Sequence, residues 1–304
     1  MPNVRFLEEV SLSAWPALQT VFVDGWVLRF SNGFGRRANS VNPLFHSVRP
    51  VEDNLAECEA LYAARGQRVV FKISPAAQPP GLDDLLAQRG YALEALTSVQ
   101  TLPFEPAVPL ASAVPTTTAA PTAAAGQSAA LQNAAAPTAA VIHAATAAPL
   151  AAHLPPSLSA SAIWSGSESL PDEWLQAVAS LTAVPERHQA TLRQMLAGLV
   201  PPACFASLSA SGQIAACGLG VLHGGWLGLF DIVTHPQQRG QGYAQRLIRQ
   251  LLAWGASQRA QGAYLQVMLN NPPALALYQR LGFKEAYRYW YRVKEWHGNL
   301  EAGT

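Results

Sequence analysis

A mixed α/β fold made of two similar domains is predicted by three features of the chain. The first is an interruption: between Pro106 and Ser167 there is no Asp, Glu, Lys or Arg, and Ala, Pro, Thr and Ser dominate. The second is a faint repeat, because the segments on either side both read helix, strand, helix, strand. The third is a glycine-rich turn, Gln237-Gln238-Arg239-Gly240-Gln241-Gly242, that carries an apolar strand into a helix and occurs only in the second segment. Alternating elements of this kind build a sheet flanked by helices.

The first domain is expected over 1–105. Its copy of the repeat opens with apolar residues at helical spacing, Leu55, Cys58, Leu61 and Tyr62. Gly66 follows, then a strand over 68–73, a helix over 82–88, Gly90 and a strand through Val99. The stretch 106–158 reads as a linker. Its prolines recur too often for one long helix, and its alanines bury too little surface to offset the entropy of ordering. The second domain is expected over 159–304. There the helical positions are Ala244, Leu247, Ile248 and Leu251, followed by Gly262, a strand over 263–269, a helix over 274–280, Gly282 and a strand through Val293. Gly66, Gly90, Gly262 and Gly282 are natural helix C-caps, and His223-Gly224-Gly225 predicts a hairpin.

Composition excludes several functions. At 304 residues the chain can bury two cores. Twenty Lys plus Arg against nineteen Asp plus Glu leave a net charge of +1, so no strong field draws it to nucleic acid or to an anionic membrane. Small-molecule or peptide partners are favoured. Cys58, Cys204 and Cys217 are odd in number and widely spaced, which argues against disulfides and metal and fits a reducing cytoplasm. Acids at Glu8 and Glu9 stand where a signal peptide would be apolar, and no apolar run has membrane-spanning length.

The chemistry concentrates in the second copy. An apolar strand over 227–234 meets His235-Pro236 and then the glycine turn. A helix N-terminus offers unpaired N–H groups and partial positive charge, and glycines remove the Cβ atoms that keep a pyrophosphate away. The P-loop is excluded because Tyr243, not Lys, follows the second glycine. A dinucleotide fingerprint fails at Gln245, where a third small residue is required.

The turn resembles the Q/R-x-x-G-x-G/A motif of the GNAT superfamily of acetyltransferases, with Gln237 first and Gly240 and Gly242 as its glycines. About thirty residues on, Asn271-Pro272-Pro273-Ala274-Leu275-Ala276-Leu277-Tyr278-Gln279-Arg280-Leu281-Gly282-Phe283 is similar to the N-x-x-A-x-x-L-Y-x-x-x-G-F stretch of the same superfamily. The resemblance covers 160–295. It implies that acetyl-CoA lays its pyrophosphate on the backbone of Gln238, Arg239, Gly240, Gln241, Gly242, Tyr243 and Ala244. It also implies that the pantetheine arm follows Asp231, Ile232, Val233 and Thr234 and meets Asn271. Tyr278 then stands to protonate the departing thiolate, since a phenol of pKa about 10 is a serviceable donor; a packed helix-face aromatic is the other reading. Asp231 is the one acid in the preceding strand and a candidate base, direct or through water. A solvated strand-end carboxylate is equally compatible with its position, and His223 and His235 are weaker candidates. Strand N–H groups near Val233 are expected to hold the oxyanion, and no metal is needed.

Where the first copy is tested for the same chemistry, 42–50 holds no glycine and Leu86 stands four residues before Gly90. This half resembles the degenerate N-terminal half of bacterial tandem GNAT proteins, which implies a wall to the acceptor cleft. Arg36, Arg37 and Asn39 are placed to touch an acceptor, or to form a solvated hairpin with a satisfied asparagine. The resemblance therefore implies a cytoplasmic N-acetyltransferase acting on a small molecule or peptide amine. The rival is a non-catalytic acyl-CoA-binding or regulatory module.

Overall fold

The computed structural model describes residues 2–105 and 162–295; the predicted linker, 106–158, lies outside the described residues. The first half runs α1 (Val4–Ala14), β1 (Gln19–Val23), β2 (Trp26–Phe30), β3 (Val41–Asn42), α2 (Val51–Ala63), β4 (Val69–Ile73), α3 (Leu82–Gln88) and β5 (Ala92–Pro103). The second runs β6 (Ile163–Ser167), α4 (Asp172–Leu181), α5 (Glu186–Ala197), β7 (Ala203–Ala210), β8 (Gln213–His223), β9 (Trp226–Thr234), α6 (Tyr243–Ser257), β10 (Gly262–Met268), α7 (Pro272–Arg280) and β11 (Lys284–Lys294).

Local chemistry accounts for most boundaries. Asn3 caps α1 by accepting from the Phe6 N–H at 2.8 Å. Leu247, Ile248, Leu251 and Leu252 of α6 are all buried, as their helical spacing predicts. Gly224 and Gly225 both take positive φ, giving the two-residue hairpin turn between His223 and Trp226. Gly66, Gly90 and Gly282 have positive φ where helices end. Gly262 does not cap a helix. Arg259 takes the left-handed conformation after α6, and Gly262 opens β10. A Cβ there would lie 2.7 Å from the Trp226 ring and 2.8 Å from the Leu102 carbonyl oxygen, so close strand packing explains that glycine.

The eleven strands among the described residues form one sheet in the order β1-β2-β3-β4-β11-β5-β10-β9-β8-β7-β6. The pairs β3–β4 and β9–β10 are parallel and the others antiparallel. The last strand of each half is exchanged. β5 lies between β10 and β11, while β11 lies between β4 and β5. Read outward from the β11–β5 pair, β4, β3, β2 and β1 mirror β10, β9, β8 and β7, the order a repeated unit gives when its terminal strands cross over.

Three apolar clusters follow from this layout. Trp26, Leu28, Leu55, Tyr62, Phe71 and Leu86 fill the first half, and Leu247, Leu251, Leu227, Ala263 and Leu265 lie between α6 and the sheet. The third joins the halves: Leu7, Val10 and Trp15 near α1 pack with Leu219, Val221, Phe230 and Tyr264 of the second half. Beside it lies a buried ion pair. Lys72 of β4 reaches Glu8 of α1 at 2.6 Å, and the Tyr287 hydroxyl of β11 donates to Glu8 at 2.7 Å.

Candidate active site

The site starts from an irregularity in β9. Asp231 has φ 47, and the β8–β9 register slips between Cys217 and Leu219. Asp tolerates the left-handed region better than most residues, and a bulge of this kind turns a strand away from its neighbour. The parallel ladder between β9 and β10 accordingly stops at Leu229↔Leu265. Beyond it the strands part, and the backbone of Ile232, Val233 and Thr234 borders a cleft on that side.

That cleft has a volume of about 1020 Å³. Of the residues assigned from the sequence to acetyl-CoA, all but Asp231 line it: Ile232, Val233, Thr234, Gln238, Arg239, Gly240, Gln241, Gly242, Tyr243, Ala244, Asn271 and Tyr278. Ligands of open α/β sheets settle at the carboxyl ends of parallel strands, and the cleft lies at that end of β9.

One wall is the N-terminus of α6. Gly240 and Gly242 have φ 79 and 80, and a Cβ on Gly240 would have no atom within 4 Å. The first turn of α6 carries no acid, and no side chain caps its N–H groups. Anionic phosphate oxygens fit this wall, with Arg239 and Arg280 adding positive charge at its edge. The matching turn of the first half differs: α2 begins with Glu52 and Asp53, which would repel an anion, and Leu86 is fully buried.

The facing wall is α7. Asn271 caps it by accepting from the Ala274 N–H at 3.3 Å, so its side-chain oxygen serves the helix while the residue lines the cleft. Pro273, Ala274, Leu277 and Arg280 also line the cleft. They were not singled out from the sequence, although their spacing puts them on the Tyr278 side of α7.

Tyr278 is 8 % exposed and packs edge-on to Phe283 with ring centroids 6.0 Å apart. Burial pushes its phenol up to about 12, against which the charge of Arg37 pulls down. The hydroxyl is therefore protonated at neutral pH. It has no hydrogen-bond partner among the described residues. Both packing and proton donation are compatible with this placement.

Asp231 is not among the residues lining the cleft. It keeps partial exposure, yet burial of its carboxyl raises its pKa and Arg37 opposes that rise. Nδ1 of His235 accepts from the Gln237 N–H at 3.3 Å, which makes it part of the turn. His223 is exposed beside the hairpin. Of the three first-half candidates, Asn39 is buried and accepts from the Ser31 N–H at 2.9 Å, and Arg36 pairs with Glu94 at 2.5 Å. Arg37 alone has no such partner among the described residues.

No helix among the described residues is long and apolar enough to cross a membrane, and they hold no group of three metal-binding side chains. Cys58, Cys204 and Cys217 are free and buried.

Comparison with known proteins follows the same division. The model of the acetyltransferase (GNAT) family matches residues 170–283. A model described as "Probable histone acetyltransferase Rv0428c C-terminal" matches residues 2–151. The chain is 26% identical over 294 residues to the uncharacterized N-acetyltransferase YobR of Bacillus subtilis, covering 97% of this chain and 100% of that one. It is 37% identical over 62 residues to the probable histone acetyltransferase Rv0428c of Mycobacterium tuberculosis, 20% of each chain. Among solved structures it is similar to a GCN5-related N-acetyltransferase from Kribbella flavida, with TM-score 0.58, 14% identity and coverage of 97% and 96%. It is also similar to a tandem GNAT protein from the clavulanic acid biosynthesis pathway, with TM-score 0.53, 15% identity and coverage of 95% and 87%. At those identities the structural likeness speaks for the fold.

Proposed function

We propose that this chain, whose residues 170–283 match the model of the acetyltransferase (GNAT) family, transfers the acetyl group of acetyl-CoA to a primary amine of a small molecule or peptide. The observation that carries this reading is the convergence of the uncapped, acid-free N-terminus of α6 and the buried Tyr278 on one cleft. Acetyl-CoA places its pyrophosphate at the glycine turn and its thioester near the parting of β9 and β10. The amine nitrogen attacks the thioester carbonyl carbon, a C–N bond forms and the C–S bond breaks. Backbone N–H groups near Val233 stabilise the intervening oxyanion. The Tyr278 hydroxyl gives its proton to the leaving sulfur, and the proton lost by the amine passes through water to Asp231, which stands outside the cleft lining. The products are the N-acetyl amide and free CoA.

Gly240→Asp is the test of the phosphate wall. A Cβ at this position meets no protein atom, and Asp tolerates a φ of 79 better than most residues, so the variant should fold with local strain while its carboxylate opposes the pyrophosphate. Gly240→Asn carries the same strain without the charge and is the control. Affinity for acetyl-CoA measured by calorimetry should fall about tenfold or more. Unchanged affinity in the folded variant removes this reading of the turn. A library of amines scored by CoA release then separates an enzyme from a module that binds acyl-CoA and transfers nothing.

The role of Asp231 is read from pH. A base must be ionised, so activity is lost as pH falls through its pKa; because burial raises that pKa, the loss should begin at higher pH than for a solvated carboxylate. Asp231→Asn should abolish this acidic limb of the kcat/KM profile. Its persistence assigns the limb to another group.

A further inference from the structure

A second cavity, of about 220 Å³, opens between the halves. The first half contributes Trp15, Phe34 and Arg37, and the second contributes Gln266, Tyr289 and Tyr291. Pockets that take drug-sized ligands span about 300–1,000 Å³, so this one suits a smaller molecule.

The wall carrying Arg37 is held in place by a buried cation. Arg29, 3 % exposed, donates from Nη1 to the Arg37 carbonyl oxygen at 2.5 Å. From Nη2 it donates to the carbonyl oxygens of Leu12, at 3.1 Å, and Trp15. One guanidinium thus fixes the backbone of both Trp15 and Arg37. The loop is tied to the second half as well, since the Asn32 amide donates to the Thr191 hydroxyl of α5 at 3.1 Å.

The Arg37 guanidinium lies over the stacked rings of Trp15 and Phe230, 5.6 and 5.8 Å from their centroids. Its neighbour Arg36 is neutralised by Glu94. Arg37 has no side-chain hydrogen bond and no carboxylate within 4 Å among the described residues, so a half-buried cation stands at the cavity with aromatic faces but no ion pair. Tyr291 also lines the cavity, but its hydroxyl is buried against Tyr289 and out of a ligand's reach. Arg37 is therefore the group that can donate to an anion. The cavity adjoins the reacting centre: Arg37 lies over Phe230, the residue before Asp231, and Gln266 of the cavity wall follows Leu265, the last position at which β10 pairs with β9.

We propose that this cavity is the acceptor subsite and that the acceptor is a small amine bearing a carboxylate, which Arg37 binds while the amine is presented to the thioester. This rests on the acetyltransferase reading above. Arg37 offers a carboxylate a charge-assisted, two-pronged partner, whereas a lysine presented by a basic peptide would meet a cation. The aromatic walls accept an apolar side chain on the same molecule.

The test uses the full chain, acetyl-CoA and a panel of L-amino acids paired with their carboxamides, scored by CoA release. Free acids should exceed their carboxamides in kcat/KM by about 10- to 100-fold, the worth of a hydrogen bond to a charged group. Arg37→Gln should remove that preference, chiefly through KM, and leave acetyl-CoA affinity unchanged. Arg37→Lys should restore part of it, which guards against a loss due to misfolding. Equal use of acids and carboxamides, a preference that survives Arg37→Gln, or no use of any panel member by protein that acetylates other amines overturns the proposal. The acetyltransferase reading fails by a different result, the absence of acetyl-CoA binding or of CoA release with every amine class.

Discussion

Tyr278→Phe is expected to lower kcat by about 10²- to 10⁴-fold, the usual range for general acid catalysis, with little change in stability or in acetyl-CoA affinity. The substitution keeps the ring that packs against Phe283 and removes only the hydroxyl. Burial holding the phenol near 12 has two opposing consequences. It keeps the proton in place at neutral pH, and it makes the phenol a poorer acid than one in water. A thiol of pKa about 8.5 is already a fair leaving group, which favours the lower end of the range. The decisive measurement is single-turnover acetyl transfer to an accepted amine. A rate equal to wild type assigns Tyr278 to packing and leaves protonation of the thiolate to water.

Lys72→Met is expected to destabilise the chain by about 3–5 kcal/mol, the cost of leaving a buried charge without its partner. Lys72 and Glu8 are both almost fully buried, with side chains 4 % and 1 % exposed. Methionine fills much of the lysine stem's space, so the loss is mainly electrostatic. The double variant Glu8→Gln, Lys72→Met should recover most of it, because Gln retains an acceptor for the Tyr287 hydroxyl and carries no charge. Urea unfolding of the single and double variants measures both effects. A single variant as stable as wild type shows that Glu8 is solvated or protonated without its lysine. Since the pair spans α1, β4 and the hydroxyl of β11, the transition should remain common to both halves.

The parts of the site written in contiguous residues were legible from the sequence. A glycine turn between strand and helix, and an Asn-Pro start to the next helix, declare their geometry locally, and the structure brings both to one cleft. What those residues do there is the subject of the tests above. The strand exchange was not legible: β5 and β11 pair across a separation that no periodicity records. Asp231 looked like a strand residue, and its positive φ reflects a bulge that only the mismatched β8–β9 ladder defines. Gly262 resembled a C-cap because a glycine after a helix usually is one, whereas packing on Trp226 and Leu102 decides its identity. Arg37 was named beside Arg36 and Asn39 as a candidate acceptor contact, but nothing in the sequence set it apart from them, because its isolation depends on Glu94 having already paired with Arg36.

The crossed terminal strands set a timetable for biosynthesis. Leu93 of β5 pairs with Arg292 of β11, about 200 positions later, and at roughly 5–20 residues per second a ribosome needs about 10–40 s to supply that partner. Until then β4 and β5 lack the strand that lies between them in the finished sheet, and open edges of this kind invite pairing with other chains. The nascent first half must therefore wait unfinished, and the sheet closes only once β11 has been made.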